Sequence, residues 1–118
     1  MQSLRHQRVR ELLKREIGEV IRREIPVGES GLLTVNDVAL AGDLQSAAVY
    51  VGIVGTAEQQ RKGFELLRKE RLRIQGLVGR AVVLKYTPRL RFVRDDSVER
   101  GNRVLRIMEE IERSQSPS

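Results

Sequence analysis

The chain has 118 residues and a mass of 13.5 kDa, and its 22 Lys plus Arg against 16 Asp plus Glu give a formal charge of +6 at pH 7 and a pI near 10.5. That length supports one compact domain, expected over residues 1–113 with a disordered tail at 114–118, whose core needs no disulfide or metal staple. The absence of Cys and the presence of a single His, His6, exclude disulfide scaffolds, thiol nucleophiles, Cys-ligated metal sites and His clusters.

From Leu4 to about Ile25, Val9, Leu12, Leu13, Ile17, Val20 and Ile21 recur at spacings of three and four, which predicts an amphipathic helix with Ser3 as N-cap and Pro26 as terminator. Arg8, Arg15 and Arg22 are seven apart and line up on its outer side. Glu11 and Glu19 stand close enough to pair with them, so the stripe reads equally as a solvated salt-bridge face or as a phosphate-binding one. Residues 26–31 are turn-rich. Leu32–Leu40 and Ser46–Val54 then read as two strands joined by a short polar connection, hence an antiparallel hairpin. In the second strand Ala47, Val49, Val51 and Ile53 form the uniformly apolar set expected to face the core.

Thr56 is the expected N-cap of a helical stretch from Ala57 to Ala81, with Phe64, Leu67, Ile74, Leu77, Val78 and Ala81 in one apolar sector. Leu72 falls on the far side of that sector, which predicts a kink between Lys69 and Arg73. Val82–Tyr86 reads as a third strand. Pro88 is expected at an edge or bulge, with Leu90 and Phe92 continuing the alternation beyond it. Asp95-Asp96-Ser97 reads as a turn and cap, and Val98–Arg113 as a last helix.

No apolar run is long enough to span a bilayer, so a cytosolic protein with no membrane partner is expected. No phosphate-cradling glycine loop, dinucleotide fingerprint or zinc-protease motif is present. Adjacent Asp95 and Asp96 at a strand-to-helix junction fit a cap better than a catalytic pair, and His6, flanked by arginines, reads as solvated or phosphate-adjacent. No catalytic residue, metal ligand, cofactor or small-molecule substrate is therefore expected.

The basic balance points instead to a polyanionic partner. Most of the 22 cations are arginines, whose planar fork matches phosphate oxygens. Two Phe, two Tyr and no Trp supply little for a base-stacking platform, so backbone phosphates of structured RNA suit the composition better than single-stranded bases.

The order helix, strand, strand, kinked helix, strand is that of a type II KH module, an α+β fold with helices on one face of a three-stranded sheet. More specifically, the chain resembles the ribosome-binding factor A family. The residues that carry the likeness are Arg5-His6-Gln7-Arg8-Val9, Thr34-Val35 with Val38, and Gly42-Asp43-Leu44-Gln45-Ser46-Ala47-Ala48-Val49-Tyr50-Val51. Leu66-Leu67, Arg73-Ile74 and Pro88-Arg89-Leu90-Arg91-Phe92 with Asp95-Asp96-Ser97 complete it. Members usually carry a small Ala-x-Gly at the kink, where this chain has Glu70-Arg71-Leu72. Gly76-Leu77-Val78-Gly79 is not a phosphate-clamping loop, because Leu77 and Val78 lie on the apolar stripe.

The resemblance implies a monomeric, non-catalytic, cytoplasmic assembly factor. It would bind the immature 30S subunit through 16S rRNA and support late maturation, including 5′-end processing, with a link to growth in the cold. Charge placement nominates Arg5, Arg8, Arg15, Arg22, Arg71, Arg73, Arg89, Arg91 and Arg94 as the RNA-binding residues. The alternative is a general KH-like nucleic-acid chaperone without ribosome specificity.

Overall fold

The computed structural model describes residues 4–25, 27–84 and 86–95, together with 108 and 111, which are helical. Its elements run α1 (Leu4–Glu24), β1 (Leu32–Leu40), β2 (Ser46–Val54), α2 (Ala57–Lys69), α3 (Arg71–Ala81) and β3 (Arg89–Arg94). Ser3, Pro26, Asp96, Ser97, the tail and, apart from residues 108 and 111, the expected last helix lie outside the described residues.

In α1 the three-and-four spacing becomes a buried stripe of Val9, Leu13, Ile17, Val20 and Ile21. β1 and β2 have the expected boundaries and pair antiparallel, from Leu32 opposite Val54 to Leu40 opposite Ala47, with a bulge at Asn36 between Val35 and Asp37. The hairpin turn places Leu44 at φ 63°, and Asp43 accepts a hydrogen bond from the Gln45 amide at 3.0 Å. β3 pairs parallel to β2, Ser46 opposite Arg89 through Val51 opposite Arg94, which completes a sheet of order β1-β2-β3. A parallel pair needs a long crossover, and α2 and α3 supply it. All three helices cover one face of the sheet, against the inward side chains of Val38, Leu40, Ala47, Val49, Val51, Leu90 and Phe92.

Thr56 caps α2 with a reciprocal pair of bonds: its hydroxyl accepts from the Gln59 amide at 3.1 Å, and the Gln59 side chain accepts from the Thr56 amide at 2.8 Å. The helical stretch then breaks at Glu70, with φ −92° and ψ 7°, inside the expected interval. The ladder is kept on both sides: the Glu70 amide donates to Leu66 and the Ile74 amide to Glu70, each at 2.9 Å. The break does not do what Leu72 suggested, since that side chain stays 72% exposed. Burial of Leu67, Ile74 and Val78 against the sheet, not rescue of Leu72, sets the geometry. Ala81, expected within the apolar sector, is exposed as well.

The third strand also differs from expectation. Val82 serves as the C-cap of α3, donating to Val78 at 3.0 Å, and Val83 is exposed, so the described residues between α3 and Pro88 form no strand. Pro88 is buried immediately ahead of β3, and Gln75 of α3 fastens the start of the strand. Its side chain donates to the Pro88 carbonyl at 2.8 Å and accepts from the Leu90 amide at 2.7 Å. An apolar run beside a helix end looks like a strand locally, whereas the partner that fixes β3 lies fifteen residues before it in the chain.

Candidate nucleic-acid interface

The nine nominated arginines are not gathered into one patch. Arg5, Arg8, Arg15 and Arg22 are exposed along α1, in the helix layer. Arg71 and Arg73 follow the break between α2 and α3, and α3 packs beside α1. Arg89 and Arg91 alternate with buried Leu90 and Phe92, so they stand on the open face of the sheet, opposite the helices. Arg94, at the end of β3, donates to Gln60 of α2.

Their partners differ too. Among the described residues Arg5, Arg8, Arg71, Arg89 and Arg91 make no ion pair; all but the half-buried Arg71 are exposed. Arg22 pairs with Glu19, and Arg15 approaches Glu16 at 3.6 Å. The α1 stripe is thus part solvated salt-bridge face and part free cation.

Arg73 is the most engaged of the nine. It donates to Glu70 at 2.6 Å and to Glu24 at 2.9 Å, tying the break to the end of α1. The bond from Arg73 holds the Glu24 carboxyl below its ordinary value of 4.5, and the bonds to Glu70 and then Glu24 raise the Arg73 guanidinium further above its own. A cation already shared by two carboxylates braces the fold more than it attracts phosphate. Arg61 of α2 is held similarly by Glu58 and Glu65.

His6 is neither solvated nor free for phosphate: its Nε2 donates to the Gly42 carbonyl at 3.0 Å, joining the start of α1 to the hairpin turn. Asp95 likewise has structural work. Its amide donates to Val51 at 2.8 Å, and its carboxylate accepts from the Asn36 side chain at 2.9 Å. The bulge aims Asn36 across β2, over Gly52, where a Cβ would come within 2.8 Å of the Asn36 amide nitrogen. Gly76 and Gly79 lie inside α3 with Val78 fully buried between them, so the Gly76–Gly79 segment is helix and not a clamping loop.

On the open face, Arg89 and Arg91 line a cradle of about 440 Å3 with Ser46, Ala48, Tyr50 and Ala39. Tyr50 is a residue the arginine-based reading missed, although the alternation of β2 places it there. A second groove, of about 530 Å3, runs between α1 and β1, and Lys14, Arg15 and Arg22 are among the residues lining it. Lys14 was not nominated either. No helix among the described residues is long and apolar enough to cross a membrane.

The sequence and this layering have counterparts among known proteins. The family model described as "Ribosome-binding factor A" matches residues 5–108. A ribosome-binding factor A from Opitutus terrae is 38% identical over 115 residues, covering 98% of this chain and 93% of the relative. The chain belongs to the ribosome-binding factor A family. A second relative of that name, from Macrococcus caseolyticus, is 36% identical over 111 residues, 94% of this chain and 97% of its own.

Ribosome-binding factor A structures share the fold. The crystal structure of the Thermus thermophilus protein superposes with a TM-score of 0.64 at 26% identity, covering 75% of this chain and 93% of that one. A homology model of the Thermus thermophilus factor, as fitted into a cryo-electron-microscopy map of a 30S complex with that factor, gives the same TM-score at 28% identity, covering 74% and 91%. The α+β arrangement of helices on one side of a three-stranded sheet is thus that of the family.

Proposed function

We propose that this protein is a non-catalytic cytoplasmic factor that binds the immature 30S subunit through 16S rRNA and supports its late maturation, including 5′-end processing and growth in the cold. The observation that carries the reading is the family match across residues 5–108, joined to a relative of the same fold fitted on the 30S subunit.

The physical mechanism is phosphate-dominated binding that favours one conformation of a maturing rRNA region. Free cations on α1 and on the opposite sheet face suit insertion between rRNA segments better than docking on a single flat duplex. Arg5, Arg8, Arg71, Arg89 and Arg91 are the strongest contributors in this reading, because no carboxylate among the described residues competes with phosphate for them. Arg15, Arg22 and Arg94 contribute less, and Arg73 acts through the brace it forms. Asp95, held by Asn36 and the Val51 carbonyl, is a fastener and not a general base.

A salt titration of binding to purified immature subunits tests this. Removing Arg89 and Arg91 together should weaken binding and flatten its salt dependence, as should removing Arg5 and Arg8. Cleavage of precursor rRNA by the purified protein alone, abolished by Asp95→Asn with binding retained, would overturn the non-catalytic reading.

A further inference from the structure

The groove between α1 and β1 has a feature that the packing of the described residues does not account for. Gly18 lies in the interior of the 21-residue α1, where glycine costs helix stability, yet a Cβ built there would meet nothing within 4 Å. Gly63 of α2 is different, because a loop carbonyl approaches it closely. Gly18 faces the groove of about 530 Å3, so the space it leaves open belongs to the groove.

The opposite wall is the outer edge of β1. No strand among the described residues pairs with that edge, so its backbone donors and acceptors on that side have no strand to bond. The wall consists of Leu32, Leu33, Thr34 and Val35, the four residues before the bulge, which are the part of β1 regular enough to accept another strand. Leu33 and Val35 share the helix-side face, and Ile25 closes the end. Two independent observations thus meet in one place: a helical glycine that leaves room for a close-approaching chain, and an unpaired strand edge beside an apolar floor.

We propose that this groove receives an extended polypeptide segment that pairs with Leu32–Val35 as a fourth strand and inserts alternate apolar side chains beside Gly18. Main-chain bonds to an edge strand give such binding its affinity, and pockets for every second side chain give it selectivity. RNA does not suit the floor, where the apolar side chains of Ile25, Leu33 and Val35 offer a phosphate no donor. The rim adds one charge preference. Glu19 is satisfied by Arg22 and Glu11 approaches Arg10 at 3.7 Å, while Lys14 makes no ion pair among the described residues. A carboxylate on the incoming segment is placed opposite Lys14. The proposal rests on the 30S-docking reading, and the segment is assigned to a protein of that particle.

Two measurements on the full chain test it. Gly18→Leu puts a side chain into the groove from a position whose Cβ meets nothing within 4 Å, and it replaces a helical glycine, so it should leave the melting temperature equal to or above that of the wild type. It should also lower affinity for immature 30S subunits at least tenfold while leaving affinity for protein-free 16S rRNA unchanged. A benzophenone amino acid in place of Leu32, at the mouth of the groove, should crosslink to a subunit protein on irradiation. Wild-type binding of subunits by the Leu variant, or a crosslink to rRNA, to a second copy of the chain or to nothing, overturns the groove while the docking reading stands. Wild-type protein that fails to bind subunits overturns the docking reading and the groove with it.

Discussion

Replacing two helical glycines by alanine should move stability in opposite directions, although the chemical change is identical. Gly63 is buried in α2, and a Cβ there would lie 2.5 Å from the Ser30 carbonyl oxygen and 3.3 Å from Ile53 Cδ1. A backbone oxygen cannot swing aside as a side-chain end can, so α2 and the loop before β1 must separate. Overpacking of this kind costs about 1–3 kcal/mol. The intrinsic helix gain of Gly→Ala returns about 0.5–1 kcal/mol, which leaves Gly63→Ala destabilised by up to about 2.5 kcal/mol. At Gly18 nothing lies within 4 Å, so only the gain of about 0.5–1 kcal/mol remains. For a domain of this size Gly18→Ala should melt about 2–5 °C higher and Gly63→Ala up to about 10 °C lower than wild type. Differential scanning calorimetry reads both. Two shifts of the same sign would refute the claim that close backbone approach, not chance, accounts for Gly63.

Gln75→Ala removes both bonds that fasten β3 to α3 and leaves the Leu90 amide unpaired, a loss of about 1–3 kcal/mol in chemical denaturation. Hydrogen exchange at that amide should quicken in the same variant, and unchanged exchange would show that another acceptor takes over. Because Arg73 holds the Glu24 carboxyl below 4.5, the brace is fully present above pH 4.5 and is lost as pH falls through the lower folded-state value. The stability difference between wild type and Glu24→Gln should therefore narrow below pH 4.5, and a difference that stays constant from pH 7 to about pH 3 would contradict the assignment. Replacing Arg8, Arg15 and Arg22 together by Ala should reduce the slope of log affinity against log salt by about 2–3, if all three meet phosphate. A smaller change is expected in proportion as Glu19 and Glu16 already engage Arg22 and Arg15.

The parts of the fold legible in the sequence are those governed by local periodicity. The ends of β1 and β2, the inward set Ala47, Val49 and Val51, and the α1 stripe follow from alternation and helical spacing, which one burial face enforces. The break at Glu70 was legible in place but not in cause: Leu72 remains in water, and the bend serves the burial of Leu67, Ile74 and Val78 and is fastened by Arg73. What local pattern does not carry is which distant residue completes a bond. Val82–Tyr86 has strand composition, yet β3 begins at Arg89, where Gln75 and the Gln45 carbonyl fasten it. Arg73 reads as a free cation until Glu24, 49 residues away, is brought beside it. His6 reads as free until the hairpin turn arrives 36 residues later. The same limit applies to the interface. Sequence counts the arginines, but only the layering shows that Arg89 and Arg91 face away from Arg5 and Arg8, and that Tyr50 and Lys14 stand among them.

The most direct test of the central claim is co-sedimentation of the purified protein with immature 30S subunits, mature 30S subunits and a generic structured RNA, at about 0.1 and about 0.3 M salt, where phosphate-dominated binding changes steeply. Preferential retention on immature particles, surviving the higher salt and weakened when Arg5, Arg8, Arg89 and Arg91 are replaced by Ala, is the predicted result. Equal binding to all three, lost alike at the higher salt, would contradict it and leave a general basic nucleic-acid-binding module on this fold.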